Sequence, residues 1–360
     1  MPSNYISPPT QEELHQNGLP LLKQAKFHAE ANRVLSYDNY YETCSSSQGV
    51  TYKEVLDQSS RIHEYILREY HAITQQQDTT GGTRSERIAF FCTPSSAYIA
   101  SQWACWSTGS IAVPLCISHT APELHHVLQD CDPFLIIVQC SSGSKKVNWE
   151  ELEKAAKMCS MLNRVVFLED ILGSRNESDS PHSYQLGQNN KIESMDSPAL
   201  IIYTSGTTGK PKGVVSSHRT IHHQIVDLVL AWEWKSNDCI LHFLPLHHVH
   251  GIINKLCCAV WAGASIDFMK FVARRVWKRL GDTESIPVTL LHFRLCAPSK
   301  HELEHILDFD LFLTTNLLVL FPSPFAFVHR LRLSWEYQQF TPNCLNRHVI
   351  QTTIVPSLPI

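Results

Sequence analysis

Between Thr51 and Val138, short apolar runs alternate with capped segments of helical period, and this alternation restricts the fold more than any other feature of the chain. Thr51-Tyr52-Lys53-Glu54 has the Thr-x-x-Glu spacing of a capping box and opens a helix whose apolar face carries Val55, Ile62, Tyr65 and Ile66. Gln75 to Arg84 is polar and reads as a surface loop. Arg87 to Cys92 is a short buried strand, Ser96 to Ser107 an apolar helix ended by Gly109, and Ile111 to Val113 a second strand. Thr120-Ala121-Pro122-Glu123 is another capping box, with helix to about Gln129 and a third strand at Phe134 to Val138. Successive strands with a helix between each pair require a parallel sheet covered by helices on both faces.

After a polar stretch from Ser174 to Asn190, read as a linker, the pattern resumes. Ala199 to Tyr203 is an apolar strand. Ser217 caps a helix bearing Ile221, Ile225, Leu228, Val229 and Trp232 on one face. Cys239 to Leu244 is a strand stopped by Pro245. Ile252 to Trp261 is a helix, and Ser265 to Met269 a further strand after Gly263. His242 falls inside a strand as a structural residue; His218, His222 and His223 are expected on the surface of their helix. From about Leu290 no regular period continues. The most apolar run, Asp310 to Val328, is interrupted by Asn316, Pro322 and Pro324, and its clean stretch is short of the ~20 residues a membrane helix needs.

With 43% hydrophobic and 18% charged residues among 360, the chain has enough apolar material for a packed core. Its net charge of -4 gives no basic excess for nucleic acid or an anionic membrane, so an anionic ligand must be attracted locally. The twelve cysteines are scattered without Cys-x-x-Cys spacing, which indicates reduced thiols rather than a disulfide framework or a zinc site. Met1 to Gln16 lacks an apolar leader core and contains Glu12 and Glu13. The expected location is cytoplasmic, with mitochondria as the alternative.

The stretch from Thr204 to Gly213 carries the chemistry. Read as a turn from strand to helix, it combines Gly206, Gly209 and Gly213, whose backbones can converge amides on phosphate oxygens, with the hydroxyls of Thr204, Ser205, Thr207 and Thr208. Lys210 and Lys212 add charge beside a polyphosphate, Lys212 as the direct contact. The spacing is not that of a Walker A loop. A second polar cluster, His247, His248 and His250, crowds one loop. Neutral imidazoles can ligate zinc, but no thiol or carboxylate lies near them in the sequence, so no metal site is assigned.

Tyr203 to Gly213 (YTSGTTGKPKG) resembles the signature of the adenylate-forming superfamily, which includes acyl-CoA synthetases, luciferases and peptide-synthetase adenylation domains. Trp106 to Leu115 (WSTGSIAVPL) is similar to its upstream Val-Pro-Leu element, and Leu244 to Gly251 (LPLHHVHG) to its histidine-bearing substrate loop. Tyr203 to Val215, Leu244 to Gly251 and Val276 to Val288 look most like malonyl-CoA synthetases.

The resemblance covers about residues 20 to 290. It implies an α/β fold with mostly parallel sheets flanked by helices: the incomplete N-terminal domain of an adenylate-forming synthetase, without its C-terminal lid. Residues 1–19 would be an extension and 291–360 an unrelated tail. It further implies ATP, Mg²⁺ and coenzyme A as reaction partners of a small carboxylic acid, malonate or methylmalonate. His248 would line the acid pocket, and His250 would make a second polar contact. The family's Tyr-Gly-x-Thr-Glu element and adenylation lysine are not recognisable between Leu291 and Ile360, so no catalytic residue is assigned. The alternative to an acid–CoA ligase is a nucleotide-binding remnant of one, and the expectation for these 360 residues is little acyl-CoA formation.

Overall fold

The structure, a computed structural model, describes residues 19–40, 49–74, 86–139, 149–173, 194–204 and 210–281. The loop residues 205–209, the polar stretches read as loop and linker, and the apolar run from Asp310 to Val328 lie outside the described residues.

Two sheets organise the chain. The larger contains β3 (Arg87–Phe91), β4 (Ile111–Pro114), β5 (Leu135–Val138), β6 (Val165–Phe167), β7 (Pro198–Thr204) and β8 (Lys212–Ser217), in the order β6-β5-β3-β4-β7-β8. All its neighbours run parallel except the β7–β8 pair. The smaller sheet has the order β2-β1-β10-β9, with β1 (Val34–Asp38), β10 (Ser265–Phe268) and β9 (Cys239–His242) parallel and the two-residue β2 (Val50–Thr51) antiparallel at the edge.

The continuous apolar strands are explained by burial on both faces. In β3, Ile88 and Phe90 enter one core while Ala89 and Phe91 enter the other; in β5, Leu135 and Ile137 divide in the same way from Ile136 and Val138. One core takes in α1 (Pro20–Glu30), α2 (Tyr52–Thr74), α3 (Ser96–Ser107) and α6 (Leu168–Gly173), and it extends to Leu35, Ile240 and Ile266 of the smaller sheet. The other face is covered by α4 (Ala121–Cys131) and α5 (Trp149–Met158), through Leu124, Val127, Leu128, Leu152, Ala155 and Ala156.

Both capping boxes form. Glu54 N–H donates to Thr51 Oγ1 (3.2 Å) while Thr51 N–H donates to Glu54 Oε2 (2.6 Å), and Thr120 and Glu123 repeat the exchange at the start of α4. Helix α3 ends at Gly109, whose φ of 78° is the left-handed conformation that a glycine adopts without steric cost.

Three expectations are corrected. The loop that follows β7 does not lead directly into a helix. It returns as β8, antiparallel to β7, and only then does Ser217 cap α7 (His218–Ala231) by accepting from Thr220 N–H. The helix expected at Ile252 to Trp261 begins earlier, at Val249–Gly251, and winds as a π-helix through Ile252–Cys257 before Cys258–Ala262 closes it; together these form α8. Finally, His218 and His222 are buried rather than on the surface. They share the inward stripe of α7 with Ile221 and Ile225, and the rings of Trp106 and Trp261 pack edge-on against them. Burial holds both imidazoles in the neutral form, pushing His218 down to about 3 and His222 to about 4. His242, as expected, is buried at the end of β9, where it hydrogen-bonds the Gly251 carbonyl (3.0 Å).

The described chain ends in α9 (Ala273–Gly281), tied to the smaller sheet by a buried ion pair, Arg279 Nε donating to Asp267 Oδ2 at 2.6 Å. Among the described residues, no helix is long and apolar enough to cross a membrane.

Candidate active site

Open parallel α/β sheets present a crevice outside the carboxyl ends of their strands, and the two signature loops leave from such ends. The hairpin follows the end of β7, and the histidine loop follows the end of β9.

The hairpin is set by strand register. Thr204 pairs with Lys212 and Tyr203 with Gly213. Helix α4 braces both sides of its base: Tyr203 Oη donates to Asp130 Oδ2 (2.6 Å), and His126 Nε2–H donates to the Pro211 carbonyl (2.8 Å). Lys210 and Lys212 are exposed. Of the sequence-predicted phosphate contacts, Thr204, Lys210, Lys212 and Gly213 belong to this frame. Ser205, Gly206, Thr207, Thr208 and Gly209 lie outside the described residues.

The histidine loop is held by close packing instead. Tyr98 Oη, from α3, donates to the Leu246 carbonyl (2.8 Å), and the loop folds so tightly that a Cβ on Gly251 would stand 2.3 Å from the Pro245 carbonyl oxygen. Only glycine fits there. His248 is exposed at the start of α8, its ring centroid 4.2 Å from that of His247. His250 is the second residue of that helix; its Nδ1 pairs with Asn254 Nδ2 (3.1 Å), and Asn254 Oδ1 accepts from Gln224 (2.6 Å). Although the residue is exposed overall, its ring is partly shielded from water, and that desolvation, with the neighbouring imidazoles of His247 and His119, lowers the pKa of His248.

The two loops meet across a small cleft lined by Pro114, Leu115, Cys116, His119, Tyr203 and His247, among others. Of the three loop histidines, His247 is the one that lines it. The sequence offers no thiol beside this loop, but the fold supplies one. Cys116, directly after β4, is 5% exposed, and its sulfur and ring nitrogens of His119 and His247 all lie within 4.8 Å of one another. A turn in which His119 N–H donates to the Cys116 carbonyl (3.2 Å) folds the His119 ring back over the sulfur. Burial alone would push the thiol up; the two imidazoles and the Ser118 hydroxyl outweigh it and bring Cys116 down to about 5. The pKa of His119 is raised in return, chiefly by Cys116. This group could not be found from the sequence, because nothing in the local spacing of His247 points to a strand end far upstream.

The AMP-binding enzyme family matches residues 24–294, and the chain belongs to that family. Over 284 residues it is 32% identical to the mitochondrial malonate–CoA ligase of Mus musculus, covering 78% of this chain and 44% of that protein. A malonate–CoA ligase of Arabidopsis thaliana is 32% identical over 253 residues, with 68% and 40% covered. The chain thus spans less than half the length of these relatives. Among solved structures, ATP-bound MatB from Rhodopseudomonas palustris superposes with a TM-score of 0.56 at 20% identity, over 74% of this chain and 48% of that one, which is a likeness of fold.

Proposed function

We propose that the chain carries the ATP- and acid-binding part of an ATP-dependent acid–CoA ligase whose acid is malonate or methylmalonate. The observation that supports this most directly is the cleft itself: Tyr203, at the root of the hairpin, and His247, in the histidine loop, line the same space. An ATP phosphate chain lying against the hairpin and an acid entering past the histidine loop would therefore meet. The names of the malonate–CoA ligases among the relatives support the choice of acid.

In this reading an acid carboxylate oxygen bonds to the α-phosphorus of ATP as the bond to pyrophosphate breaks. The sulfur of coenzyme A then attacks the acyl carbon and releases AMP. A carboxylate is a weak nucleophile, so the protein's contribution is positioning and charge neutralisation. Lys212, with Lys210 beside it, offsets phosphate charge, and Thr204 with the hydroxyls and amides of 205–209 supplies donors. His248 and His250 meet the carboxylate that does not react, since a dicarboxylate must keep one end ionised beside a donor. Mg²⁺ would enter with the nucleotide. Among the described residues no carboxylate cluster is built to hold it, and Asp130, which meets the hairpin base, already accepts from Tyr203; no step is assigned to a protein-held magnesium ion.

The test is the purified 360-residue chain given ATP, Mg²⁺, malonate and CoA, with nucleotide binding, pyrophosphate and malonyl-CoA all followed. Product formation supports the full ligase reading. Nucleotide binding without product supports the remnant alternative, and absence of nucleotide binding overturns both. In a ligase carrying this loop, His248→Ala should reduce acid use more than ATP binding; equal losses would remove His248 from the acid pocket. For location, the cytosol and mitochondria are the two arms of the test, and the mitochondrial name of the Mus musculus relative favours the second. Imaging a fusion at the C-terminus decides between them.

A further inference from the structure

We propose that Cys116, His119 and His247 form a binding site for a thiolate- and imidazole-preferring divalent cation, zinc first, at the inner wall of the cleft. Among the described residues this is the group whose sulfur and nitrogen donors converge, all within 4.8 Å of one another. That separation is close enough for modest side-chain rotation to reach the metal-to-ligand lengths of about 2.0–2.3 Å that zinc takes with nitrogen and sulfur.

The hydrogen bonding of the His119 ring points the same way. His119 Nδ1 is buried and makes no hydrogen bond, an arrangement that costs free energy unless something supplies a partner. A metal ion would do so. The three ligands come from two segments, the turn after β4 and the loop after β9, which the fold alone brings together. Cys116 is almost fully buried while His119 and His247 are partly exposed, so the site has a closed sulfur end and an open imidazole end.

The donor set selects the ion. One thiolate and two imidazoles suit zinc or cobalt(II), and disfavour magnesium and calcium, which prefer oxygen ligands. Three protein ligands would leave a fourth tetrahedral position open, in a cleft that Tyr203 also lines. Binding releases the proton of the Cys116 thiol where that proton is present, and no redox change accompanies it.

The experiment needs neither ATP nor acid, so its outcome is separate from that of the ligase reading. The purified reduced chain is titrated with Co²⁺ alone and then with Zn²⁺. One equivalent of Co²⁺ should produce a thiolate-to-cobalt charge-transfer band, and Zn²⁺ should displace it. Cys116→Ser should abolish the band, and His247→Ala should weaken binding by about tenfold or more. Absence of the band, its persistence in Cys116→Ser, or unchanged affinity in His247→Ala would each overturn the site. A measurement on the unsubstituted chain guards against variants that fail to fold: alkylation mapped by peptide mass spectrometry. Zn²⁺ should protect Cys116 while leaving Cys159, a partly exposed thiol outside the cluster, reactive. Equal labelling of Cys116 with and without Zn²⁺ would count against the proposal on its own.

Discussion

The hairpin and the histidine loop stand on opposite sides of one cleft but are built on opposite principles. The hairpin takes its geometry from the backbone register of β7 and β8 and leaves Lys210 and Lys212 exposed at its end. The histidine loop takes its geometry from packing: Leu246 is buried, Tyr98 bonds its carbonyl, and Gly251 sits where no side chain fits. A hairpin side chain can therefore change without disturbing the core, whereas changes in the histidine loop act on the fold before they act on a ligand. Binding and stability should separate accordingly.

The largest expected effect is Gly251→Ala. The added methyl meets the Pro245 backbone oxygen at 2.3 Å, a contact that neither partner can relieve by side-chain rotation. Unfolding in denaturant should show a loss of about 3 kcal/mol, at the upper end for overpacking. An unchanged midpoint would mean that the loop is looser than described.

Lys212→Ala is the counterpart on the hairpin. Loss of a charged hydrogen bond should weaken ATP binding by about 1.5–3 kcal/mol, read by calorimetry. Stability should stay within about 0.5 kcal/mol, because the side chain is exposed. If stability falls with affinity, the contrast between the two loops fails.

Acid should destabilise the region behind the histidine loop. His218 has a folded pKa depressed to about 3, against about 6.5 when unfolded. The unfolded chain therefore binds the extra proton, and stability that is complete above about pH 6.5 is lost progressively as pH falls toward 3. Between pH 7.5 and 5 that amounts to about 2 kcal/mol for one fully buried imidazole. His218→Gln should flatten the acid limb of the stability profile by about one proton; an identical slope would show that the imidazole is protonated in place.

The smallest effect is Tyr98→Phe. Losing the hydrogen bond to Leu246 should cost about 1 kcal/mol of stability and leave ATP affinity untouched.

How far the sequence could be read follows the same division. Strand and helix positions in the parallel sheet were legible because apolar runs and capping boxes are local signals: Thr51, Thr120 and Ser217 all cap as expected. The return strand β8 was missed because Lys212 to Ser217 is an edge strand with little buried surface, so Val214 and Val215 stood among serines and a glycine without an apolar run. The burial of His218 and His222 was missed although a signal existed: their spacing to Ile221 and Ile225 places all four on one helical stripe. The approach of Cys116 and His119 to His247 had no local signal at all. It is a product of topology, which brings the end of β4 and the loop after β9 to one crevice.

The pairing of Tyr203 with Gly213 has a consequence for how this hairpin can vary in length. A Cβ at position 213 would lie 3.0 Å from Ile201 Cγ2 and 3.3 Å from the Tyr203 ring, so the strand tolerates no larger residue there without displacing its neighbours. Side chains of a strand alternate between faces, so inserting or deleting a single residue in β8 would turn Lys212 or Val214 toward that crowded face and send every later side chain to the wrong side. A change of two residues would restore the alternation. Length variation in the returning arm is thus filtered by parity, and related chains that differ there should differ by even numbers of residues, whatever they bind.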